Sequence, residues 1–134
     1  MDVGLRQRVW RRAAGRCEYC RLPHDLDVLP FQVDHVRPIK HGGQTVFENL
    51  ALSCLSCNAR KGPNLTGIDP ETGTVRTLFD PRNQDWDEQF HWEGARLVGL
   101  TPSARATVEV LGINAPQRIE HRQLLIAAGA WVQE

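Results

Sequence analysis

Leu5, Val9 and Ala13 recur at four-residue spacing near the start of the chain, with Trp10 beside them. That spacing lines one face of a helix. Asp2 before it and Gly15 after it are residue types that cap and stop helices. The other face carries Arg6, Arg8, Arg11 and Arg12. The segment RCEYC and a connection rich in Pro, His and Asp lead to VLPFQVDHV, whose β-branched and aromatic content predicts a strand. HGGQ is a turn. NLALSCLSCNARKGP holds a second short apolar run, then a brief helix ended by Gly62 and Pro63. Farther on, IDPETGTV reads as a turn-rich connector, and FHWEGARLVGLT as two strand-like pieces joined by Glu93 and Gly94. Residues 103–111 and 115–132 have helical patterns, with Pro116 near the first position of the second. Trp86, Trp92 and Trp131 are expected in the core, as large aromatics usually are.

Composition adds a size and a setting. With 134 residues, 41% hydrophobic and 24% charged, and a mean hydropathy of -0.39, the chain suits one soluble globular domain. Its expected parts are a basic helix over 1–15, a core over 16–65, and a C-terminal extension over 66–134 packing on that core. No apolar run approaches the roughly 18 residues that span a bilayer, so no membrane partner is expected. The opening residues lack the apolar stretch of a secretory signal, which predicts a reducing cytoplasm. The formal net charge is zero, yet residues 1–65 hold ten Lys and Arg against six acids, and the remainder holds six against ten. A polyanion should therefore meet the first half.

All four cysteines lie in that half, as two CxxC pairs: Cys17 with Cys20, and Cys54 with Cys57. Four thiolates in this arrangement suit a tetrahedral structural zinc, with Zn–S distances of about 2.3 Å. The stretch between the pairs is long enough to hold a hairpin of its own. A thioredoxin-like dithiol is disfavoured by the second pair and by the absence of a βαβ pattern.

Inside the clip stand Asp34-His35, Gly42-Gly43 and Asn49, with Asn58 directly after the last cysteine. DHVRPIKHGG, followed by ENLALSCLSCNARKG and preceded by CEYC, resembles the zinc-bearing HNH endonucleases over roughly residues 14–65. The resemblance implies an α+β fold built on a ββα-metal core, and metal-dependent cleavage of DNA to 5′-phosphate and 3′-hydroxyl ends. It also makes Asn49 the central Asn that braces the loop and orients His35.

Phosphodiester hydrolysis calls for an activated water and neutralisation of charge at phosphorus, which a general base and one divalent cation supply. His35 is the candidate base. Asp34 and Asn58 are the candidate oxygen ligands of Mg²⁺ or Mn²⁺. Some relatives place a further His where this chain has Gly62, which leaves two protein ligands. Arg60 and Lys61 on the brief helix, and Arg11 and Arg12 on the first, are candidate contacts to the DNA backbone, duplex being the expected substrate. His41 either supports the site or simply sits in the turn.

Each of these residues has a plainer reading as a cap, a turn residue or a solvated face; their joint occurrence in this order argues against it. The alternative function is a non-catalytic, zinc-stabilised nucleic-acid-binding module. Oligomeric state is left open.

Overall fold

The computed structural model describes residues 1–133, which divide into two compact units. The first comprises residues 1–65 with 80–84, the second 66–79 with the chain from Asp85 onward.

In the first unit, α1 (Val3–Ala13) begins where Asp2 accepts a hydrogen bond from the Leu5 N–H at 3.2 Å. Val9 and Ala13 are buried, as the four-residue spacing requires, while Leu5 is half-exposed. The helix stops at Ala14, whose left-handed conformation (φ 54°) lets its N–H bond back to Arg11 and Trp10. Strand β1 (Gln32–His35) pairs antiparallel with β2 (Leu50–Ser53), Asp34 opposite Ala51 and His35 opposite Leu50. β1 is shorter than the apolar run around it because Pro30 has no N–H to give a ladder. β2 is buried at all four positions. The chain turns at once into α2 (Leu55–Lys61), capped by Cys54 and ended at Gly62. The order is therefore strand, strand, helix.

The second unit is a mixture of short strands and helices. β3 (Thr66–Ile68) and β4 (Val75–Thr77) form a hairpin in the stretch expected to be a connector. Its strands are three residues each and largely exposed, so they carry no alternation of burial to detect, and the turn residues dominate the pattern. Asp69 organises that turn. Its carboxylate accepts from both the Nε and Nη2 of Arg105 at 2.9 Å, from Thr72 Oγ1 at 2.7 Å and from the Glu71 N–H at 3.0 Å, which together hold it well below the usual carboxylate range.

One turn of helix, α3 (Trp86–Gln89), which the sequence did not announce, precedes the expected pair β5 (Phe90–Glu93) and β6 (Arg96–Gly99). Helix α4 (Pro102–Val110) starts from Thr101. Helix α5 (Pro116–Ala127) starts on its proline and ends before Gly129 (φ 69°), short of residue 132. Phe79, Phe90, Trp86, Trp92 and Trp131 form a run of ring contacts with centroids 5.2 to 6.1 Å apart. No helix among the described residues is long and apolar enough to cross a membrane.

Candidate functional site

The four cysteines converge. Cys17 and Cys20 come from the turn after α1, Cys54 and Cys57 from the β2–α2 junction, and their sulfurs all lie within 4.8 Å of one another. A zinc ion bound tetrahedrally at about 2.3 Å sets its sulfurs about 3.8 Å apart, and Cys20 Sγ is 3.8 Å from Cys54 Sγ. The Cys20 N–H points at Cys17 Sγ (3.5 Å) and the Cys57 N–H at Cys54 Sγ (3.4 Å), so the backbone already offers partial positive charge to sulfur. Burial pushes the Cys17 thiol well above its ordinary value, and the hydrogen bonds among crowded sulfurs do the same to Cys57. Thiols so placed ionise only beside a cation. The donor set fits zinc.

Between the cysteine pairs, Asp34 and His35 follow one another at the end of β1, and consecutive strand residues face opposite ways. Asp34 is 6% exposed and its carboxylate is already engaged. Oδ2 accepts from the Tyr19 hydroxyl at 2.7 Å and lies 3.2 Å from Lys61 Nζ. Lys61 is 2% exposed and also donates to the His35 carbonyl at 3.0 Å. Burial pushes the Asp34 carboxyl above its ordinary value, against the opposing pull of Lys61 and the Tyr19 hydroxyl. Burial likewise raises the Tyr19 phenol well above its usual range, with Asp34 adding to the shift, which keeps it a proton donor in that bond. The Lys61 ammonium is thus a cation seated on the carboxylate, and it has no free face to offer a DNA phosphate, contrary to the expectation for that residue.

His35 is half-exposed. Its Nε2 lies 2.9 Å from Thr45 Oγ1, and Nδ1 has no partner among the described residues. The loop bearing Thr45 is tied down by Asn49, which accepts from the Arg37 N–H (2.9 Å) and donates to the carbonyls of Arg37 (3.0 Å) and Gln44 (2.9 Å). Gly43 allows the loop to close on itself: a Cβ there would lie 1.7 Å from the Arg37 carbonyl oxygen. His41 contributes its carbonyl to Arg37 Nε at 2.8 Å, and its side chain is exposed in the turn.

The remaining candidates separate. Arg12 is half-buried and donates to the carbonyls of Phe47, at 2.7 Å, and of Leu50, with its guanidinium 3.8 Å over the Phe47 ring. It fastens α1 to the loop, so the phosphate contact expected of it is not open. Arg11 and Arg60 are exposed, and Asn58 is half-exposed with no side-chain partner among the described residues. Tyr19, Thr45 and Glu18 were not singled out from sequence. Tyr19 and Glu18 sit between the first two cysteines, a position that signals a tight turn but not what its side chains reach. Glu18 accepts from the Leu52 N–H at 2.8 Å and pairs with Arg82, which explains why residues 80–84 group with the first unit.

Residues 17–64 match the sequence profile of the family described as HNH endonuclease. No curated protein and no solved structure matches the chain. The matched span runs from the first cysteine to just beyond α2, and so contains the whole cysteine cluster, the β1–β2 pair and the loop that Asn49 ties.

Proposed function

Because residues 17–64 match the HNH endonuclease profile, we propose that the protein is a metal-dependent DNA endonuclease with His35 as its general base. Residues 1–15, 16–65 and 66–134 are then the basic helix, the zinc-clipped ββα-metal core and a C-terminal extension of one nuclease domain, at work in the cytoplasm. The observation that carries the reading is the His35 imidazole, held through Nε2 by Thr45 while Nδ1 has no partner among the described residues. With the Nε2 proton donated to Thr45, Nδ1 keeps its lone pair and takes a proton from a water. The water oxygen bonds to phosphorus, the P–O3′ bond breaks, and the leaving oxygen takes a proton from solvent, giving 5′-phosphate and 3′-hydroxyl ends. Base catalysis of this kind contributes about 10²- to 10⁴-fold.

Asn49, by fixing the backbone on both sides of the 37–44 turn, positions Thr45 and through it the imidazole. Asp34 and Asn58 would hold a divalent ion, Mg²⁺ or Mn²⁺. At Asp34 the ion would have to take the place of Lys61 Nζ, the cation now 3.2 Å from the carboxylate, and the Asn58 amide, without a side-chain partner among the described residues, offers a second oxygen. When bound, the ion supplies charge neutralisation at phosphorus. Arg60 and Arg11, exposed on α2 and α1, are the residues left to contact DNA phosphates.

The same Lys61–Asp34 pair favours a second reading, a zinc-stabilised nucleic-acid-binding module in which the carboxylate never takes a metal. Nicking of supercoiled plasmid decides between them. The nuclease reading expects relaxation in the presence of Mg²⁺ or Mn²⁺ that ceases on mild chelation, and binding without relaxation under every divalent condition would favour the module.

A further inference from the structure

Helix α1 divides its arginines. Arg8 and Arg12 lean over the Phe47 ring, 4.2 and 3.8 Å from its centroid. Arg6 and Arg11 instead line, with Trp10 and His24, an open groove of about 740 Å³ on another face of the helix. Neither of these two guanidiniums has a hydrogen-bond or ion-pair partner among the described residues. The aromatic wall is built rather than incidental. His24 meets Trp10 edge to face at a centroid distance of 5.2 Å, and Phe31 backs both rings, 6.2 Å from Trp10 and 6.4 Å from His24. His24 lies so close over Gly15 that a Cβ there would be 2.7 Å from its Cδ2, so the glycine makes room for the imidazole.

We propose that this groove binds an unpaired strand of DNA, its phosphates held by Arg6 and Arg11 and a base packed against Trp10 and His24. Two guanidiniums without a partner among the described residues ask for a polyanion. A duplex would satisfy them through its backbone, but its base faces are stacked inward and leave an aromatic wall unused; an unstacked base lies against the rings and covers them. None of these residues belongs to the His35, Asn49 or cysteine arrangement. The inference rests on the nuclease reading only for the class of polymer, and it directs that activity toward substrates with a flap, gap or frayed end near the cleavage site.

The test uses the full zinc-loaded chain and two variants matched in charge loss, Arg6→Gln/Arg11→Gln and Arg76→Gln/Arg96→Gln. The probes are a short oligothymidylate and a blunt duplex of two complementary strands, titrated in calcium buffer over a range of salt concentrations. The first variant should bind oligothymidylate about tenfold more weakly, with the slope of log affinity against log salt flattened by about 1.4, as expected for two phosphates of a single strand. Its affinity for the duplex should change less, and the second variant should match wild type on both probes. The Trp10 indole N–H resonance should move on adding oligothymidylate and stay put on adding duplex. Equal losses from both variants, or a stationary Trp10 resonance, would overturn the proposal. Failure of the nuclease reading looks different: plasmid stays supercoiled with Mg²⁺ while the first variant still loses oligothymidylate affinity.

Discussion

Lys61→Met removes the ammonium but keeps most of the stem, and so isolates the charge that faces Asp34. The two side chains are 2% and 6% exposed and 3.2 Å apart, so solvent screens them little. Breaking a buried pair by deleting one partner costs about 3 to 5 kcal/mol, because the surviving charge stays desolvated. Asp34 keeps its bond to the Tyr19 hydroxyl, which places the expected loss near the lower figure. Asp34→Asn/Lys61→Met removes both charges, so it should cost at least about 1 kcal/mol less than the sum of its single substitutions.

The loss should also depend on pH. Burial holds the native Asp34 carboxyl above its ordinary value, so the native state binds that proton more tightly than the unfolded chain. This contribution is fully present below the unfolded value of about 3.9, and it disappears as pH rises through the native value. Without Lys61 the native value rises further. The destabilisation of Lys61→Met should therefore be smallest near pH 4 and grow toward neutrality. Urea titration of the zinc-loaded variants at several pH values, followed by Trp10-region fluorescence and zinc release, measures it. A cost below about 1 kcal/mol at pH 7, additivity of the pair, or a cost that shrinks with rising pH would refute the argument.

Elemental analysis of protein purified without chelator should find zinc bound at the four cysteines, and stripping it should unfold residues 1–65, since such sites contribute about 10 kcal/mol or more; zinc-free protein with unchanged circular dichroism would contradict this. Arg12→Met should cost about 2 kcal/mol in urea titration because two carbonyls lose a charged donor, whereas Arg11→Met should stay within about 0.5 kcal/mol. Asn49→Ala deletes three bonds to the loop backbone and should cost about 2 kcal/mol and raise amide exchange across residues 37–45, with unchanged exchange as the contrary result.

Much of the first unit was legible because its signals are local. Asp2 caps α1 and Gly62 ends α2 through residues a few positions apart, and the cysteines, although their meeting is long-range, announce it by the short spacing within each pair. What escaped depends on contacts across the chain. Arg12 and Arg11 are neighbours on one basic face in sequence, yet only Arg12 reaches the carbonyls beyond residue 46. Lys61 reads as a surface cation on a short helix, and its burial follows from Asp34 standing on the strand beneath, a pairing that spacing cannot reveal. The 66–77 hairpin was hidden because neither strand has a buried face to impose a period. Thr45 has no sequence signal at all; the turn that delivers it to His35 exists because Asn49 and Gly43 permit it.

The central claim is that His35 activates the attacking water, and single-turnover nicking of supercoiled plasmid by His35→Ala with Mg²⁺ or Mn²⁺ tests it most directly. The account predicts a fall of at least about a hundredfold in the cleavage rate, with zinc content and circular dichroism unchanged. Cleavage by the folded, zinc-loaded variant at close to the wild-type rate would contradict it.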